Sequence, residues 1–138
     1  MTSKLLILFV FFLNSCANQK QLQSHKTNSD KDIAIEGNWE VTSIYGKSTL
    51  TKRPTLIFNK NHFSGNSGCN NYSGVYTIGE ENISFGKMTS TMMVCFDNDI
   101  ENRFFSALDK VKKYRLKNDQ LQFLDEKKNV LIILISKS

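Results

Sequence analysis

Three thiols, on Cys16, Cys69 and Cys95, are the side chains in this 138-residue sequence best able to do covalent chemistry. Cys69 stands inside SGNSGCNNYSGVY, Ser64 to Tyr76, where three glycines and three asparagines supply residues that tolerate positive φ. That composition predicts a shaped turn between two strands. Cys95 ends the run MTSTMMVC, and the two sulfurs are 26 positions apart. In an exported protein they could bridge, adding roughly 3–4 kcal/mol on the chain-entropy model. Two small buried thiols packed near one another are the alternative. Thiol exchange is a third possibility, and it needs a depressed thiol pKa from a helix N-terminus or a nearby cation.

The rest of the catalytic inventory is thin. The sequence contains no G-x-S-x-G, H-E-x-x-H or C-x-x-C motif and no phosphate-binding glycine loop. Of two histidines, His25 falls in a polar stretch, and His62 has no carboxylate or nucleophile at a recognisable spacing. Asp97, Asp99 and Glu101 lack the glycine that a calcium loop requires, so they read as the acidic first turn of a helix. No enzyme activity, metal or cofactor is expected. Lys and Arg number 18 against 13 Asp and Glu, and the basic residues are scattered apart from Lys110, Lys112, Lys113, Arg115 and Lys117. That mild balance does not point to nucleic acid.

The start of the chain sets the compartment. MTSK is followed by the apolar LLILFVFFL and then by Asn14-Ser15-Cys16. Nine apolar residues are too few for a permanent transmembrane helix and suit a signal peptide. Leu13-Asn14-Ser15-Cys16 resembles a bacterial lipobox, with Asn14 its least usual member. Cleavage before Cys16 would leave residues 1–15 as signal peptide and a lipidated cysteine as the first mature residue. Two or more acyl chains anchor stably where one is marginal. Residues 17–32 include one aliphatic side chain larger than alanine, Leu22. Such a stretch is expected to be a flexible tether with a reach of about 20–24 Å. Residues 16–36 are therefore assigned to the tether and residues 37–138 to the folded domain.

Within the domain, Gly37 to Ile44 alternates as a half-buried strand, with Trp39, Val41 and Ser43 on one face. Pro54 begins a strand over TLIF, Asn59-Lys60-Asn61 makes a hairpin, and Val75–Ile78 pairs with Ile83–Phe85 across Gly79–Asn82. Gly46 to Lys52 reads as a polar loop. Asp97 to Val111 is the one helix, with Asn98 and Glu101 as a capping box and Ile100, Phe104, Leu108 and Val111 as its apolar stripe. Strands follow at Tyr114–Leu116, Leu121–Leu124 after the Asn118-Asp119 turn, and Val130–Ile135. VLIILI is apolar on both faces and belongs inside a sheet. Met88, Met92 and Met93 read first as soft core fillers and second as a plastic binding surface. The expected fold is mainly β (α+β), a compact antiparallel, barrel-like sheet of about eight strands with one helix packed on it.

The spacing G-C-N-x-Y-x-G-x-Y from Gly68, followed by T-x-M-x-C at Thr91, Met93 and Cys95 and then a short helix, resembles the META domain of HslJ-like bacterial lipoproteins. Trp39, Phe63, Gly65, Glu101, Phe104, Phe105, Ala107 and Leu108 also fall where that pattern has them. Val94 replaces the alanine usual in the second motif. The resemblance covers roughly Gly37 to Ser136. It implies a non-catalytic envelope lipoprotein, anchored at the outer membrane through Cys16 and associated with envelope stress or tolerance of hydrophobic antibiotics. A partner, whether envelope protein or glycan, could meet the turn at Asn70, Asn71 and Tyr72 together with the methionine segment, although those residues could equally serve the turn alone. Two other functions fit parts of the sequence. Gly37-Asn38-Trp39 matches the lipocalin G-x-W opening, which suggests a small hydrophobic ligand in a β-barrel, and Cys69 with Cys95 suggests a thiol-disulfide redox protein.

Overall fold

The computed structural model describes residues 35–49, 51–96 and 99–138. The signal peptide expected over 1–15, the lipidation expected at Cys16, the tether expected up to residue 34, the expected helix cap Asn98 and the acidic Asp97 before it lie outside the described residues. Six strands come first: β1 Gly37–Ile44, β2 Lys47–Ser48, β3 Thr55–Asn59, β4 His62–Asn66, β5 Asn71–Ile78 and β6 Ile83–Ser90. The helix α1, Asp99–Lys110, precedes β7 Lys113–Lys117, β8 Gln120–Leu124 and β9 Val130–Ser136.

Every pairing is antiparallel, and the sheet order is β6-β5-β4-β3-β1-β9-β8-β7, with β2 appended to β1. The sheet curls until its end strands approach, and a single bridge from Asn82 to Lys113 links them. Among the described residues the result is a half-barrel of eight strands with the helix α1 packed on it, the mainly β fold expected. The doubly apolar β9 lies between β1 and β8, where both of its faces can be covered. Asn118 and Asp119 both take positive φ, the geometry a two-residue hairpin between right-twisted strands requires.

One face of the sheet holds the core. Phe58, Tyr76, Phe85 and Phe123 meet with centroid separations of 4.8–6.3 Å, and Phe63 meets Phe85 edge to face at 4.9 Å. Such pairs each contribute about 0.5–1.5 kcal/mol beyond their area. The helix covers the same face: Phe104, Ala107 and Leu108 are buried, and Phe104 and Phe105 both lie 5.5 Å from the Tyr72 ring. The interior that a lipocalin would leave for ligand is occupied by these rings.

Four local expectations need correction. In β1 the pairing with β9 shifts between Val41 and Ser43, so Ile44, not Ser43, joins Trp39 and Val41 in the core. The polar loop from Gly46 opens with β2, paired back on Ser43 and Ile44. Strand β6 runs on to Ser90. Finally, the folded body begins before residue 37: Ile35 is fully buried, and its carbonyl accepts the Trp39 indole N–H at 2.7 Å. A buried indole N–H needs an acceptor, and Ile35 provides it from the stretch assigned to the tether.

Candidate functional site

The glycine and asparagine turn closes β4 onto β5, with Asn66 opposite Asn71 and Ser67 to Asn70 as the loop. Close approach explains two glycines. At Gly65 a methyl group would collide with the Thr55 carbonyl oxygen, and it would lie 2.8 Å from the Tyr72 hydroxyl. Gly68 takes φ +100°, which an L side chain rarely adopts. Its N–H donates to Asn66 Oδ1 at 2.9 Å, so the asparagine side chain folds over the turn it begins.

Asn70 is buried, and its side chain is fully engaged. Its Nδ2 donates to Glu101 Oε1 at 3.0 Å and to the Met93 carbonyl at 3.5 Å. Its Oδ1 accepts from Met93 N at 2.7 Å and from Thr91 Oγ1 at 2.8 Å. Two donors and two lone pairs are thus all used. Glu101, from the first turn of α1, also accepts from Asn70 N at 2.9 Å and from Ser67 Oγ. Burial pushes the Glu101 carboxyl up, but the hydrogen bonds from Ser67 and from the side chain and backbone of Asn70 outweigh it and hold the group below its ordinary value.

Cys69 and Cys95 form a disulfide with their Cα atoms 6.2 Å apart. Together with Asn70 it ties down alternate residues of the segment that follows β6. Thr91 N donates to Asn71 O at 2.9 Å, Met93 is held through both N and O, and Cys95 is bonded through sulfur. The intervening side chains are left outside: Met92 is 96 %, Val94 98 % and Phe96 113 % exposed relative to a free residue. Met93, at 55 %, is turned only partly away. The motif T-x-M-x-C therefore marks the residues of this segment that are bonded to the turn, and the apolar Met92, Val94 and Phe96 that alternate with and follow them form an outward row.

Several sequence expectations change in this light. Asn70 and Tyr72, proposed for partner contact, are buried at 5 % and 3 % exposure. Tyr72 donates its hydroxyl to the Thr55 carbonyl at 2.6 Å, and burial raises its pKa well above the ordinary value, so it serves the core as a permanent donor. Asn71 remains exposed. Met92 and Met93 are surface residues and Met88 lies at the edge of exposure, so the reading of these methionines as core filler is wrong. The role of Glu101 as a brace for the turn was missed, because its position in the first helical turn pointed to capping. His62 is exposed on the β3–β4 hairpin. Among the described residues no group of three or more His, Cys, Asp or Glu could hold a metal ion.

A family model described as the META domain matches residues 31–138. Among solved structures, the chain is similar to a protein from Burkholderia xenovorans determined by NMR. The identity is 20 % and the TM-score 0.61, covering 81 % of this chain and 89 % of that one. It is also similar to a crystal structure of a DUF4847 family protein from Bacteroides vulgatus, at 17 % identity and a TM-score of 0.57, covering 78 % of this chain and 97 % of the other. At these identities the likeness is one of fold. No curated protein matches the sequence.

Proposed function

Because this chain belongs to the META domain family, we propose that it is a non-catalytic lipoprotein of the bacterial cell envelope, anchored in the outer membrane through Cys16. Its folded body would act there by presenting a surface, in a role connected with envelope stress or tolerance of hydrophobic antibiotics. The lipobox-like Leu13-Asn14-Ser15-Cys16 supports the anchor. The observation that carries the rest is how the polar groups of the turn are used. Ser67, Asn70 and Glu101 hold one another and the backbone of Thr91 and Met93, and the two sulfurs hold each other. Groups committed in this way position a segment and are not poised for proton or acyl transfer. A hydrophobic ligand or a thiol-exchange role draws less support, since rings occupy the interior and the Cys69 sulfur belongs to a nearly buried residue.

Intact-mass analysis of the protein from its native envelope tests the anchor: the amino end should be Cys16 carrying acyl chains. A deletion strain should lose tolerance of novobiocin and regain it with the wild-type gene but not with Cys16→Ala. Equal rescue by both would remove the anchor from the function. Loss of any measured turnover on replacing Cys69 or Cys95 would remove the non-catalytic reading.

A further inference from the structure

We infer that Met92, Val94 and Phe96 form a second, non-covalent membrane contact, a three-residue apolar row that enters the headgroup–acyl boundary of the bilayer. This rests on the envelope-lipoprotein reading above for the nearness of a membrane, and it adds a site that the lipid anchor does not require.

The side chains project with almost nothing from the body beside them, at 96–113 % exposure. Soluble surfaces seldom leave such a row uncovered without a use. In extended chain, residues 92 to 96 span about 13 Å. The row cannot fold back onto the core, because Asn70 and the disulfide hold residues 91, 93 and 95 against the turn.

The surroundings suit a lipid headgroup layer. Asn71, Ser73, Thr89, Ser90 and Thr91 are exposed near the row, and all are neutral hydroxyl or amide side chains. They can bond to phosphate and ester oxygens without desolvating a charge. Of the first two carboxylates of α1, Glu101 is engaged with Ser67 and Asn70, and Asp99, its side chain 71 % exposed, pairs with Arg103 at 3.4 Å.

Two features of the chain favour the bilayer over other occupants. A second copy would bury on the order of 400 Å² per partner through these side chains, about half of what a stable interface uses. The body is joined to Cys16 by only the eighteen residues 17–34, whose composition predicts a reach of about 21–25 Å. The chain enters the body beside the β3–β4 hairpin, where Lys60 N donates to Glu36. The row sits at the opposite end of β3, near Thr55 and Asn66, about 13 Å away along that strand. A tether of that reach lets the body turn until the row meets the same membrane.

The test places tryptophan at the tip. Mature lipidated protein carrying Phe96→Trp is reconstituted into phosphatidylethanolamine and phosphatidylglycerol vesicles containing brominated phosphatidylcholine, with the buried Trp39 of the parent as reference. Emission from position 96 should shift to the blue and fall at least twofold on bromination. The chain from residue 16 with Cys16→Ser, which cannot be acylated, should float with unbrominated vesicles, and adding Met92→Ser, Val94→Ser and Phe96→Ser should cut that partitioning at least tenfold. These positions are so exposed that circular dichroism and Tm should not change. Solvent-like, unquenched emission in protein that still floats overturns the inference. So does a blue shift that needs only a higher protein concentration, or only an added envelope protein. If Cys16 proves unacylated but the unacylated chain still partitions through the row, the anchor fails and the contact stands.

Discussion

Asn70 and Glu101, 31 positions apart, are bonded twice: the carboxylate accepts from the backbone N–H at 2.9 Å and from the side-chain Nδ2 at 3.0 Å. The pair joins the first turn of α1 to the β4–β5 turn, and the other side of the Asn70 amide reaches Thr91 and Met93. One buried asparagine thereby fixes where the helix starts and where the outward row stands.

Replacing Asn70 by Ala removes the side-chain bonds to Glu101, Thr91 and Met93 and leaves Met93 N without its partner, while the backbone N–H at position 70 and Ser67 Oγ still donate to Glu101. A lost bond to a charged group contributes about 1.5–3 kcal/mol, and a buried group left unpaired adds a comparable cost. The expected loss is about 2–4 kcal/mol by urea denaturation, accompanied by faster amide exchange at Met93. A loss below about 1 kcal/mol with unchanged exchange would show that the disulfide alone holds the segment.

Glu101 also makes stability depend on acidity. Its folded-state pKa lies below the ordinary carboxylate value, so its contribution is fully present above the unfolded pKa. That contribution is lost as pH falls through the folded pKa. Glu101→Gln should therefore lower stability near neutrality and flatten the decline of Tm on the acid side. Asp125 is shifted down as well, mainly by the Asn129 side chain, so part of the acid slope should survive. An unchanged slope in the Gln variant would mean that the Ser67 and Asn70 bonds do not favour the charged form.

The Cys69–Cys95 bridge closes 26 residues of sequence. On the chain-entropy model its removal costs about 3.5 kcal/mol, before any change in the native state. Cys69→Ser with Cys95→Ser should lower Tm while keeping the β circular dichroism spectrum, because the sheet pairings do not pass through the sulfurs. Collapse of the spectrum at room temperature would give the bridge a part in forming the sheet that its position does not suggest.

Much of the architecture is legible from periodicity. VLIILI has no polar face and so must lie inside a sheet, and the stripe Phe104, Leu108 and Val111 must lie on one. The orientation of residues 91–96 is not legible in the same way. Methionine and valine are core-like by composition, and nothing in their order reveals which of these residues are bonded to the turn and which are left outside. That choice is made by the Asn70 amide and by a sulfur bond, both supplied from a turn more than twenty positions earlier. Ser43 misleads for a related reason: alternation is reset by a register shift that only the pairing with β9 reveals. Asn70 and Tyr72 look available because turns are usually exposed, but here the first turn of α1 braces Asn70 and the middle of the helix covers Tyr72.

The true beginning of the folded body can be tested at Ile35. Its side chain is fully buried and its carbonyl takes the Trp39 indole N–H, so it contributes packing and a satisfied donor from outside the first strand. Ile35→Ala keeps the carbonyl and removes only the buried methyl and methylene groups, at an expected cost of about 2–5 kcal/mol depending on how far the site collapses. A chain starting at Gly37 loses both contributions, so it should be less stable still and its Trp39 emission should move to the red as water reaches the indole. If the chain from Gly37 matched the longer one in both Tm and emission, the domain boundary would return to residue 37.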